Sequence, residues 1–136
     1  VIVDRCLINF SSMATSSKSK IVIIGDVGAT NSRVSLAEIP ENGQPTILQA
    51  LNVKTESAPS LSAILVDLIS LANSRPTDAV ISITGIVTNN KVHSNSLNHW
   101  SKLNGDDLAR QHDLNSFTFL NDITGAAWGL LDREGL

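Results

Sequence analysis

Cysteine is nearly absent from this sequence of 136 residues. The lone Cys6 excludes an intrachain disulfide framework and any multi-cysteine zinc site. A chain without either relies on its core and suits a reducing compartment. Tyrosine is missing, aromatic residues make up 4% of the chain, and there are four prolines. Basic residues are in no excess: 10 Lys and Arg stand against 13 Asp and Glu, for a net charge of −3. That balance lacks the basic face of a nucleic-acid-binding protein. The longest purely aliphatic run, Ile21 to Ile24, is far too short to span a bilayer. What is present is enough to fold. Hydrophobic residues make up 42% and charged residues 17%, with neutral Ser, Thr and Asn filling the difference. One domain is expected at this length, burying roughly 68% of its unfolded surface. The expectation is a soluble, cytoplasmic globular unit with neither nucleic acid nor membrane as partner.

The chain begins at Val1, and its one methionine is Met13. Val1 to Phe10 lacks the basic segment and long apolar core of a secretory signal. The expectation is that Val1 to Ser12 is upstream sequence and that the natural protein starts at Met13. The Ser- and Lys-rich stretch from Ser11 to Lys20 reads as disordered. Residues 1–20 are thus set apart from a folding region, 21–136.

Within that region the hydrophobic period changes several times. Ile21 to Ile24 stops at Gly25, as a strand buried on both faces does. Arg33 to Ile39 alternates like a half-buried strand, and Asn42-Gly43 is a hairpin signal ahead of a third strand, Thr46 to Val53. From Ser60 to Asn73 the apolar positions fit a helical stripe, with Pro59 and Pro76 outside its ends. Asp78 to Gly85 is the next strand, Ile86 to Asn95 a small hairpin, Gly105 to His112 a short helix and Phe117 to Leu120 a strand. Thr124 to Leu131 suits a packed helix. The result is an α/β layer design with a mixed sheet, in the order β-β-β-α-β-α-β-α around the small hairpin.

Two segments could carry chemistry. In the first, Gly25-Asp26-Val27-Gly28-Ala29-Thr30-Asn31-Ser32-Arg33, a buried strand delivers an acid, two glycines and small residues. Glycine permits positive φ and close backbone approach, so successive N–H groups could face one anion. An aspartate beside a phosphate makes sense with Mg²⁺ between them, held partly through water. No Lys-Ser/Thr pair and no helix follow, which separates the segment from the Walker and Rossmann loops. The equal alternative is a β-hairpin whose turn merely contains glycines, with Asp26 capping a backbone amide. In the second segment, Asp122 follows the strand Phe117 to Leu120 and precedes a helix of small residues. A carboxylate fixed there could accept a proton from a hydroxyl, and Asn121 could bond a neighbouring sugar hydroxyl. Read alone, either residue is more simply a helix N-cap.

The two segments in this order resemble the bacterial-type glucokinase family of the actin/hexokinase/Hsp70 ATPase superfamily. Gly25 to Arg33 is similar to that family's first phosphate motif, Leu120-Asn-Asp122 with Ala126 and Ala127 to its catalytic segment, and Asn98-His-Trp100 to its short Asn/Trp segment. The resemblance runs from about Ile21 to about Leu131. It implies a ribonuclease-H-like first domain of a sugar kinase, and ATP-dependent phosphorylation of glucose, or a close hexose, at the 6-hydroxyl. It implies that Gly25, Asp26, Val27, Gly28, Ala29 and Thr30 hold the ATP phosphates and that Asp26 organises Mg²⁺. Asp122 would be the base, with Asn121, Asp122 and Asn98 as sugar ligands. The family's second domain, which supplies the adenosine pocket, is not among these residues, so the 136 residues alone should not turn over glucose. A homodimer of the whole protein is also implied.

The sequence departs from the family pattern in places. Ala29 replaces a second glycine, which requires either a negative φ there or left-handed strain that the fold absorbs; Ile86 replaces a proline; and Asn98 stands one residue closer to Trp100. His93, His99 and His112 lack metal-ligand spacing, Trp100 and Trp128 read as packing, and Arg33 as a strand-edge or surface residue. The alternative function is a non-catalytic nucleotide- or sugar-binding module. A sugar-responsive repressor would need a helix-turn-helix, and none precedes Ile21.

Overall fold

In the computed structural model, residues 19–94, 97, 99, 100 and 103–121 are described. The helix Thr124 to Leu131, Trp128, Asn98 and Asp122 lie outside them. Of the stretch Ser11 to Lys20, expected to be disordered, residues 11–18 also lie outside, but Lys20 is ordered: it opens the first strand, paired with Ile39.

Three strands follow one another directly: β1 (Lys20–Val27), β2 (Asn31–Ile39) and β3 (Thr46–Lys54). The helix α1 (Leu61–Ser70) leads to β4 (Pro76–Ile83). Three short strands then form a separate small sheet: β5 (Ile86–Thr88), β6 (Lys91–His93) and β7 (Leu103–Asn104). The helix α2 (Gly105–Gln111) and β8 (Ser116–Asn121) complete the described order. The main sheet runs β3-β2-β1-β4-β8. β2 is antiparallel to both β1 and β3, whereas β1, β4 and β8 are parallel. This is the ribonuclease-H-like arrangement expected of an actin-like ATPase domain.

The alternation along the strands divides the sheet into two faces. Ile21, Ile23 and Val27 of β1, Ala79, Ile81 and Ile83 of β4, and Phe117 and Phe119 of β8 are buried. Against them α1 places Leu61, Ile64, Leu65 and Leu68, and α2 places Leu108 and Ala109. Each fully buried aliphatic side chain contributes roughly 1.5–3 kcal/mol. The opposite parity, Ile24 and Val80, leaves large side chains exposed on the other face. Ser60 caps α1, its Oγ accepting from the Ala63 N–H at 3.0 Å, and Asn104 caps α2 by accepting from Asp106 and Asp107.

Several boundaries differ from the sequence reading, and one strand is added. β1 does not stop at Gly25 but continues through Asp26 and Val27, because it is paired on both sides, with Val34 to Ser32 of β2 and Ile81 to Ile83 of β4. Pro76 does not merely follow α1; it opens β4, where a missing N–H costs least. α1 ends at Ser70, short of Asn73. The strand β7 was not foreseen, since only Leu103 and Asn104 make it.

Candidate functional site

The parallel strands β1, β4 and β8 end at one edge of the sheet, the edge where open α/β sheets bind ligands. The antiparallel partners bring the start of β2 and the end of β3 to the same edge, with Asn31 opposite Lys54. The connection Gly28 to Thr30, the turn Thr55–Ser57, the Thr84-Gly85 bend and Asn121 therefore meet there. Register fixes the spacing. Asp26 pairs with Ser82, and Ser82 with Leu120. With two strand spacings between β1 and β8, the backbones of Asp26 and Leu120 are about 10 Å apart. Asn121, the last residue of β8, lies in the next row, with Ile83 and Val27.

Alternation aims these residues differently. Asp26 is exposed and shares the parity of Ile24, on the face that carries no helix among the described residues. Val27 is fully buried on the helix-covered face, so its side chain is turned away from the hairpin turn, and its carbonyl accepts the Thr84 N–H at 3.0 Å. Asn121 shares the parity of Phe117 and Phe119, on the helix-covered face. Asn98 and Asp122 lie outside the described residues. Asp26 and Arg33 are direct cross-strand partners; β2 lies inside the sheet, so Arg33 is exposed on the sheet surface rather than at its edge.

The connection between β1 and β2 is a hairpin, a feature common to both sequence readings, yet its glycines are not used as expected. Positive φ occurs at Asn89, Asn90, Asp113, Gly43 and Gly85, and not at Gly25 or Gly28. Gly25 is required by space. A Cβ there would lie 2.7 Å from Ile81 Cδ1 and 3.0 Å from the Arg33 carbonyl. Gly28 has room, its nearest neighbour being the Asn31 carbonyl at 3.5 Å. Ala29 is outside the positive-φ region, so the replacement of a glycine there is free of strain. The Gly28 N–H closes the turn onto the Asn31 carbonyl at 2.9 Å. Ala29 and Thr30 are exposed, and their N–H groups have no partner among the described residues. An exposed turn with unpaired N–H groups beside an exposed carboxylate can take a phosphate together with a hydrated divalent cation.

Behind this turn stand residues that the sequence reading passed over. Ser32 and Thr55 are fully buried polar side chains. The Thr55 hydroxyl donates to the Gly28 carbonyl at 2.8 Å and lies 2.7 Å from Ser32 Oγ. One hydroxyl has one proton, so Ser32 is the donor to Thr55. The Thr55 N–H donates to the Thr30 carbonyl at 3.0 Å, and the Thr55 carbonyl lies 3.0 Å from His99 Nε2. A carbonyl only accepts, so Nε2 carries the proton. Trp100, nearly buried, donates from Nε1 to the Ala58 carbonyl at 2.9 Å. The His99-Trp100 segment is thereby fastened to the turn after β3. Ser32 left a signal: it shares the inward parity of Val34 and Leu36, and a polar side chain there needs a partner. Thr55, beyond the last residue of a strand, left none.

Comparison with known proteins identifies the family and the fold. A model of the family described as glucokinase matches residues 23–134. No curated protein matches the chain in sequence. Among solved structures, a glucokinase from an Antarctic psychrotroph superposes with a TM-score of 0.65 at 17% identity, over 76% of this chain and 33% of that one. The glucokinase from Balamuthia mandrillaris in complex with glucose gives 0.57 at 21% identity, over 88% of this chain and 34% of that one. The chain thus spans about a third of the length of these structures, and at such identities the likeness is one of fold.

Proposed function

The chain belongs to the glucokinase family, and from that premise we propose that the native protein transfers the γ-phosphate of ATP to the 6-hydroxyl of glucose or a close hexose. The observation that carries this reading is the convergence at one sheet edge of an exposed turn whose Ala29 and Thr30 N–H groups have no partner among the described residues, an exposed acid, and the strand that leads into Asn121 and Asp122.

In phosphoryl transfer the protein mainly positions groups and stabilises charge. The Ala29 and Thr30 N–H groups would donate to the phosphates, and the Thr30 hydroxyl adds a further donor at the same turn. Asp26 would hold Mg²⁺ through water, and the ion, when bound, offsets phosphate charge. Asp122 would take the proton of the attacking hydroxyl, with Asn121 and Asn98 as ligands of the sugar. The rest of the relatives' length would complete the nucleotide pocket and exclude water from the reaction. The 136 residues by themselves would then be inactive.

The test is ADP formation by the native polypeptide with MgATP, comparing glucose with 6-deoxyglucose. Turnover with glucose and none with the analogue is expected. Equal ADP formation with both sugars would remove the 6-hydroxyl as acceptor.

A further inference from the structure

Thr55 touches the phosphate turn at two points and the His99 segment at a third. Its hydroxyl holds the Gly28 carbonyl, its N–H holds the Thr30 carbonyl, and its own carbonyl receives His99 Nε2–H. The two carbonyls held by Thr55 flank Ala29, whose N–H group is unpaired among the described residues. Turning a carbonyl inward turns the following peptide N–H outward, since the two lie in one rigid plane. Holding the Gly28 carbonyl against Thr55 therefore aims the Ala29 N–H away from the core, and holding the Thr30 carbonyl fixes the far side of the same turn. The hydroxyl cannot swing elsewhere, because Ser32, also fully buried, donates into it.

We infer that Thr55 is a positioning residue, whose buried hydroxyl sets the Gly28 to Thr30 turn for a nucleotide phosphate and ties that setting to the His99-Trp100 segment. The inference rests on the proposed kinase function for its kinetic readout and on nucleotide binding for an independent one. Thr55→Val keeps the shape and the backbone bonds but removes the hydroxyl, leaving the Gly28 carbonyl and the Ser32 hydroxyl without their partner. Thr55→Ser restores the hydroxyl.

The experiment uses the native polypeptide and measures MgADP binding by calorimetry beside steady-state kinetics. In Thr55→Val the dissociation constant for MgADP and the KM for MgATP should both rise about tenfold, with the KM for glucose within about twofold. Thr55→Ser should return both nucleotide values to within about twofold of the parent. Unchanged nucleotide values in Thr55→Val overturn the inference, as does an equal rise in the KM for glucose. If Thr55→Val does not fold, Ser32→Ala decides: a rise of about threefold confined to nucleotide is expected, and no rise overturns the inference. A parent protein that binds MgADP but leaves glucose unphosphorylated contradicts the kinase reading and leaves the binding comparison decisive. A parent that binds no MgADP overturns the role of the turn itself.

Discussion

The side-chain carbonyl of Asn90 accepts the backbone N–H of Phe119 at 2.8 Å. The same side chain donates from Nδ2 to the Phe117 carbonyl, and the Asn90 carbonyl accepts the Gly105 N–H. An asparagine at the tip of the β5–β6 hairpin thus pairs with β8 as another strand would, on the side where the sheet has no further strand among the described residues. It steadies the strand that ends at Asn121.

Asn90→Ala should cost about 2–3 kcal/mol, from two lost backbone partners and a positive φ of 62° that alanine resists. Asn90→Gly relieves the second term and should recover part of the loss. Denaturant unfolding of both variants measures the difference, and equal stability of the two would contradict the backbone part of the account.

The glycines of the phosphate motif should respond unequally. A Cβ at Gly25 meets Ile81 and the β2 backbone, so Gly25→Ala should destabilise by roughly 1–3 kcal/mol. Gly28→Ala meets only ordinary contact and should stay within about 0.5 kcal/mol. Thermal or denaturant unfolding distinguishes them.

This contrast shows where the sequence was legible. The main-sheet strands in their order along the chain, α1 with Pro59 and Ser60 at its start, and the strand leading into Asn121 could all be read from period and punctuation. Their burial follows directly from which side chains are apolar. The roles of the glycines could not be read, because a glycine needed for space looks the same as one needed for φ. Asn89-Asn90 shows the reverse. Both residues take positive φ at the tip of the small hairpin, and Gly43 does so within the longer β2–β3 connection. Thr55 was invisible for a third reason: its partners lie 27 residues before it and 44 after it, and no local pattern encodes that meeting.

His112 gives the fold a pH dependence. Burial pushes its pKa below the usual 6.5, and its Nε2 lies 2.9 Å from Ser62 Oγ, which joins α2 to α1. The unfolded chain therefore binds the proton more readily than the folded one. Stability should be full above about pH 6.5 and fall as pH drops through the lowered folded value. Asp78 is held below its usual 3.8 by hydrogen bonds from Ser116 and Thr77, so its loss begins only at more acid pH. The fall in unfolding free energy between about pH 7 and about pH 5, around the ordinary histidine value, should flatten in His112→Gln; an unchanged slope would contradict this assignment.

Asp26→Ala should shift the Mg²⁺ dependence of turnover to higher concentration by about tenfold or more, with the KM for glucose little changed. A Mg²⁺ titration of the variant and its parent measures it, and superimposable curves would remove Asp26 from the metal site.

In the proposed reaction a strand-end acid would activate the sugar hydroxyl while the hairpin turn would hold the phosphates. The most direct measurement is kcat and glucose affinity of the native polypeptide carrying Asp122→Asn. A fall in kcat of about 10²-fold or more, with glucose binding within about threefold of the parent, is the expected result. An undiminished kcat would contradict the assignment of Asp122 as the base, and with it the chemistry proposed for this sheet edge.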